Sequence, residues 1–108
     1  MKRCKTLIGI GLAGLLAAAP LASQAADGAA LYKAKTCPAC HGKDGKSPIL
    51  PTYPKIAGQN KAYLVQQMKD IKSGKRSNGN SAAMKGIMHL VSDAEIEAIA
   101  DYVSKLAP

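Results

Sequence analysis

The chain has 108 residues, with 15 lysines and arginines against 7 acidic residues, three cysteines, four tyrosines and neither phenylalanine nor tryptophan. One small domain fits that length and two do not. The basic surplus comes without clusters of base-stacking aromatics, so nucleic acid is not an expected partner.

The first element in chain order is the amino end. Lys2, Arg3 and Lys5 precede an uncharged run from Leu7 to Ala19, about 13 residues where a bilayer crossing needs about 20. The run leads through Pro20 to the small residues Ser23, Ala25 and Ala26. A basic head, a short apolar body and small residues at the cut describe a cleavable secretory signal over residues 1–25, followed by a single domain over residues 26–108. Cys4 lies before the apolar run, where lipid attachment would need it after, and is incidental to the leader. No stable membrane insertion is expected once the leader is removed. The remaining 83 residues carry a net charge of +5, since the leader takes three basic residues and no acid with it.

Asp27 is placed to cap a first helix running through Ala34, its carboxylate favoured by the free N–H groups of the first turn. Gly42, Gly45, Pro48, Pro51, Pro54 and Gly58 then punctuate a long loop. After Asn60, the spacing of Leu64, Met68 and Ile71 predicts a helix that stops at Ser73 and Gly74. Gly74, Asn78, Gly79 and Asn80 mark a second loop. Ser92 and Glu95 have capping-box spacing, and Ile96, Ile99, Val103 and Leu106 recur on one helical face before Pro108. No convincing strand signal interrupts these, so the expected class is all-α: three or more short helices and two loops that need something to pack against.

Such a chain is short of core. About 80 residues without Phe or Trp rarely bury enough apolar surface to outweigh ordering entropy unless a staple assists. Exported domains commonly use disulfides. Here only Cys37 and Cys40 survive cleavage, and the loop they would close is too small to stabilise much.

The run Cys37-Pro38-Ala39-Cys40-His41 supplies the missing object. About one helical turn separates the cysteines, so both sulfurs can form thioethers to the vinyl groups along one edge of a haem, with the His41 imidazole under the iron. A planar apolar macrocycle would also fill the centre. Cys-Pro-x-Cys occurs in thiol–disulfide oxidoreductases too, where the first cysteine is an activated thiolate, but that scaffold needs strands in βαβ order. Structural zinc would need four ligands, and the chain offers only Cys37, Cys40, His41 and the distant His89.

With these residues the sequence resembles the class I c-type cytochromes, in particular the small bacterial monohaem members of the periplasm. Gly28-Ala-Ala-Leu31-Tyr32 is similar to the family's N-terminal helix, and Ser92 to Leu106, with Tyr102, to its C-terminal helix. Pro54-Lys-Ile-Ala-Gly-Gln59, and Tyr63-Leu64 followed by Gly74 and Arg76, also resemble the small bacterial members. The resemblance implies a small cytochrome c fold wrapped around one covalently bound haem c with its iron, and a close crossing of the two terminal helices at Gly28. It further implies a backbone carbonyl, near Pro48 or Pro51, that accepts the His41 ring N–H.

The distal candidates are Met84, Met88, Met68 and His89. Met84 is the choice, because it lies in a loop segment eight residues before Ser92, similar in placement to the family's ligand methionine. Met88 is the fallback; Met68 falls on an apolar helix face, and His89 reads as a surface residue. Arg76 is a candidate partner for a haem propionate. Tyr32, Tyr63 and Tyr102 are expected to pack with their polar tips bonded or wet.

The implied function is that of a soluble, monomeric, periplasmic one-electron carrier rather than an enzyme, because iron with His and Met on its two axial positions has no vacancy for a substrate. Its partners would be a reductase and an oxidase or other terminal enzyme. Lys35, Lys43, Lys46 and Lys85 lie near the haem motif or the methionine in sequence and are expected to ring the haem edge, steering acidic docking surfaces. The alternatives are the haem subunit of a larger redox complex, a five-coordinate haem with peroxidatic activity, and the small thiol–disulfide oxidoreductase.

Overall fold

A computed structural model describes residues 27–108; the leader expected over residues 1–25, Cys4 included, lies outside the described residues. The helices in chain order are α1 (Gly28–Ala34), α2 (Pro38–His41), α3 (Lys61–Ser73), α4 (Ser81–Met88) and α5 (Asp93–Ser104), and no strand occurs among the described residues.

Local chemistry sets the helix ends. Asp27 accepts a hydrogen bond from the Ala29 N–H at 3.0 Å, and the Asn60 side-chain oxygen accepts from the Tyr63 N–H at 3.1 Å. Ser92 accepts from the Glu95 N–H at 3.2 Å while its own N–H donates to the Glu95 carboxylate at 3.0 Å, which completes the expected capping box. α3 stops where Gly74 turns to a φ of +83°, a left-handed conformation open to a residue without a Cβ.

α5 is the hub: α1 crosses it, α3 packs along it, and α4 packs on α3. Its buried face carries Ile96, Ile99, Ala100 and Val103. Gly28 permits the α1 crossing, since a Cβ there would run into the Ala98 carbonyl and come within 2.7 Å of Tyr102 Cβ. One turn along α1, the Tyr32 ring centroid lies 5.7 Å from that of Tyr102 at a tilt of 57°, within the range of favourable aromatic pairing. Leu64, Met68, Ile71, Met88 and Val91 extend the core from α5 towards α4. Leu106, expected on the same face, is half-buried.

Met84 does not lie in a loop. It sits on α4, a helix the sequence pattern does not announce because it is only eight residues long and contains Gly86. Isolated helices of that length are marginal in water, so burial of Met88 against α3 must stabilise what propensity alone does not. The turn after α4 is also gripped from two sides. Lys72 Nζ donates to the Val91 carbonyl at 2.6 Å and Lys35 Nζ to the Leu90 carbonyl at 2.8 Å. Each ammonium faces a carboxylate in the first turn of α5, Asp93 at 3.7 Å and Glu95 at 3.5 Å respectively. Among the described residues no helix is long and apolar enough to cross a membrane.

Candidate haem site

α1 and α2 are joined by a turn in which Thr36 takes a φ of +61°, an uncommon conformation for a β-branched residue. The turn is held by the Thr36 N–H on the Lys33 carbonyl and the Cys37 N–H on the Tyr32 carbonyl, both at 3.1 Å. Pro38, with its ring-fixed φ, opens the single turn of α2. The Cys40 and His41 N–H groups then donate to the Cys37 carbonyl at 3.2 and 3.0 Å. That one turn brings Cys37, Cys40 and His41 to the wall of a single cleft.

His41 is buried, and its Nδ1 lies 2.9 Å from the Pro54 carbonyl oxygen. A carbonyl only accepts, so Nδ1 carries a proton, and Nε2 is the nitrogen left for a metal. A neutral imidazole with one nitrogen committed to a backbone carbonyl is the usual form of a metal-ligating histidine. The carbonyl belongs to Pro54, which corrects the expectation of Pro48 or Pro51. The reason is nonlocal. The Ile56 N–H donates to the Gly45 carbonyl at 2.8 Å, and this pairing draws the far end of the loop, Pro54 included, back to His41.

The cleft has a volume of about 340 Å³, within the roughly 300–1,000 Å³ common for small-molecule sites. Leu64, Ile71, Ile99 and Val103 give it an apolar lining, and Met84, Ile87 and Met88 bring α4 to its wall. Met84 and Met88 are one helical turn apart and therefore share a face; Met84 is half-buried, whereas Met88 is deep in the core. Met68 touches the cleft from α3 but is a core residue, as expected. His89 is exposed and sits beside Lys69, Lys72, Ser73 and Asp93 at a separate hollow, away from the cleft. Two sulfurs and an imidazole on one turn, facing an apolar space that three methionine thioethers also line, form a donor set that fits a covalent haem.

At the rim, Arg76 lines the cleft and its guanidinium donates to the Gln67 side-chain oxygen at 2.9 Å, which leaves other N–H groups for an anionic partner. Asn80 donates to Thr52 at 3.0 Å and ties the long loop to the start of α4. The lysines expected at the haem edge gain no support from the lining of the cleft. Lys35 is engaged with Leu90 and Glu95, Lys85 lies against Gly74, and neither they nor Lys43 and Lys46 line the cleft. Lys55 does. Nearness in sequence misled here because α1 directs Lys35 to α5, whereas the returning loop carries Lys55 with Pro54. The stretch from Pro54 to Gln59, already similar to the small bacterial cytochromes, is the sequence signal that points to both residues.

Tyr32 and Tyr102 pack as expected, while Tyr63 is half exposed at the cleft wall. Burial pushes the Cys37 thiol up to about 11, against the opposing pull of a backbone hydrogen bond. A thiol held in its protonated form is the reverse of the activated thiolate that thiol–disulfide exchange uses. Among the described residues no three His, Cys, Asp or Glu side chains gather as a structural zinc site would require.

The model of the family described as Cytochrome c matches residues 25–107. A cytochrome c4 of Pseudomonas aeruginosa is 47% identical over 96 residues, covering 89% of this chain and 43% of that protein. A cytochrome c-553 of Nitratidesulfovibrio vulgaris is 37% identical over 106 residues, 98% of this chain and all of that protein. The crystal structure of reduced recombinant cytochrome c4 from Pseudomonas stutzeri superimposes with a TM-score of 0.60 at 35% identity, covering 66% of this chain and 38% of that one. The chain thus spans under half the length of the cytochrome c4 relatives and the full length of the c-553 relative. A motif, an all-helical fold and a match running through both terminal helices agree, and the chain belongs to the cytochrome c family, whose cofactor is covalently bound haem c with its iron.

Proposed function

We propose that this chain is a periplasmic one-electron carrier, with haem bonded to Cys37 and Cys40 and iron held between His41 and Met84. The observation that carries the reading is the His41–Pro54 hydrogen bond at a cleft that the α4 methionines also line. Bound haem supplies a reversible one-electron couple. The chain's own contributions are separate. Cys37 and Cys40 would anchor the group, the Pro54 carbonyl orients the His41 ring and fixes its tautomer, and the Met84 thioether would be the second side-chain ligand to the iron. Leu64, Ile71, Ile99 and Val103 keep water from the macrocycle. Export by the leader places the carrier in the periplasm. Its reductase and oxidase partners present acidic surfaces to Lys55 and Arg76 at the rim.

One observation favours a second reading, the haem subunit of a larger redox complex. Ile49 and Leu50 are 63% and 46% exposed, and the Ile49 N–H bonds to the Cys40 carbonyl at 3.2 Å, so an apolar pair stands beside the haem motif. Stable co-purification with a larger redox protein would favour that reading over a free shuttle.

The test combines a stain and a spectrum. Haem staining after denaturing electrophoresis is expected to mark the wild-type band and to vanish for Cys37→Ala with Cys40→Ala. The oxidised wild type is expected to show a weak sulfur-to-iron band at the red end of the visible spectrum, which Met84→Ala removes while opening the reduced iron to carbon monoxide. If Met88→Ala does this instead, Met88 is the ligand. Unstained wild type with two free thiols sinks the haem reading.

A further inference from the structure

Tyr32 meets the haem motif at both of its ends. Its backbone carbonyl accepts the Cys37 N–H at 3.1 Å, and its side-chain hydroxyl donates to the Gly42 carbonyl at 2.6 Å. Cys37 opens the five-residue motif and Gly42 is the residue directly after His41. Core packing explains the ring, which is 1% exposed and tilted against Tyr102, but a phenylalanine would pack there equally well. The hydroxyl needs another account.

Gly42 is a sensitive place to hold. Its φ is +83°, and a Cβ on it would collide with the Ser47 backbone, so the chain turns here along one narrow route. The same Gly42 carbonyl receives a longer bond from the Gly45 N–H at 3.3 Å. The Gly45 carbonyl in turn accepts from the Ile56 and Ala57 N–H groups at 2.8 and 3.1 Å, and Pro54, two residues before Ile56, accepts from His41 Nδ1 at 2.9 Å. The bonds run in a closed circuit: Tyr32 to Gly42, Gly42 to Gly45, Gly45 to Ile56, and Pro54 back to His41. The Tyr32 hydroxyl bond is the shortest member and the one supplied from a helix outside the loop.

We propose that Tyr32 is a positioning residue for the iron ligand: its hydroxyl fixes Gly42, and through Gly42 both the backbone of His41 and the loop that presents the Pro54 carbonyl to the His41 ring. Tyr32 acts through other residues and is not itself a ligand. Removing the hydroxyl leaves the Gly42 carbonyl with only its 3.3 Å bond in a buried setting, and the loss of one such bond shifts a local opening equilibrium by about tenfold. The proposal rests on His41 being the proximal ligand.

The experiment compares the wild-type holoprotein with Tyr32→Phe and Tyr102→Phe. Intact mass first establishes covalent haem in the wild type, and its absence there would fail the haem reading without testing Tyr32. In the reduced protein, NMR then follows exchange of the His41 Nδ1 proton against exchange of the Ile99 and Val103 amides in the α5 core. Tyr32→Phe is expected to speed the His41 proton about tenfold relative to those amides, and to change the spread of the haem methyl signals in the oxidised protein. Tyr102→Phe, whose ring also lies in the aromatic pair, is expected to leave the ratio and the spread as in wild type. A purely structural Tyr32 would raise all exchange rates together, and an unchanged ratio overturns the proposal. Should Tyr32→Phe not accumulate as holoprotein, a ring-fluorinated tyrosine at position 32 decides by the same ratio. Its stronger donor is expected to slow His41 exchange relative to the core, and no slowing rejects the role.

Discussion

The proximal wall of the cleft is positioned by directional bonds, whereas the distal wall is positioned by packing. His41 closes the haem motif, donates to Pro54, and is bracketed by the Tyr32 bonds at Cys37 and Gly42. Met84 and Met88 ride on a helix whose Asn80 start makes no side-chain cap, and α4 is placed by contact with α3 and by the two lysines that grip the following turn. Hydrogen bonds define position to a fraction of an ångström, because they weaken steeply with distance and angle. Apolar contact is non-directional and places a helix as a body. His41 is therefore positioned several times over, while two methionine sulfurs share one face of α4 at the cleft.

Mutations can break or sharpen that contrast. The largest effect is expected from Met88→Ala, which empties a core position on the distal wall and should cost about 2–5 kcal/mol in denaturant unfolding. Covalent haem should persist, since Cys37, Cys40 and His41 are positioned by α2 and by bonds to Tyr32 and Pro54 rather than by Met88. A cost well under 1 kcal/mol would show that packing is not what places α4.

An intermediate effect belongs to the proximal wall. Burial pushes the Tyr32 phenol up to about 12 from its ordinary value near 10, with Cys37 and Tyr102 adding to the rise. The unfolded chain therefore loses this proton first as pH rises. The stabilisation tied to the protonated phenol is complete below about pH 10 and is lost progressively by about pH 12. Unfolding measured across that range should show the stability advantage of wild type over Tyr32→Phe disappearing. An advantage that persists to pH 12 would mean that burial does not shift the ionisation of this phenol.

The smallest effect concerns the rim. Lys55 sits on the proximal loop and Arg76 follows α3 on the distal side. Stopped-flow reduction by an acidic partner should slow as salt rises. Lys55→Gln and Arg76→Gln should each flatten that dependence, and the larger flattening identifies which of the two residues lies nearer the docking face. A rate indifferent to salt in wild type would remove both residues from docking.

Much of this architecture was legible where its cause is local. Asp27, Asn60 and Ser92 announce helix starts because a cap bonds to N–H groups two or three residues away. Leu64, Met68, Ile71, Ile96, Ile99 and Val103 were legible as core because helical spacing puts them on one face. α4 was not, since eight residues with an internal glycine carry little local preference and the helix exists by virtue of its neighbours. Lys35 illustrates the same limit at the surface: adjacent to the motif in sequence, it is committed to the α4–α5 turn in space.

By itself, then, the sequence determined the helical class and the Cys37-to-His41 motif that marks a covalent haem, because these depend on residues within a turn or two of each other. Only the tertiary structure decided that Pro54 is the carbonyl on His41, that Tyr32 reaches Gly42, that Met84 and Met88 share one helical face of the cleft, and that Lys55 stands at its rim. Each of those choices joins residues brought together by loop return or helix packing. Several prolines, methionines and lysines of the same chemistry were available, and only the closing of the Gly45–Ile56 pairing and the seating of α4 on α3 distinguish among them.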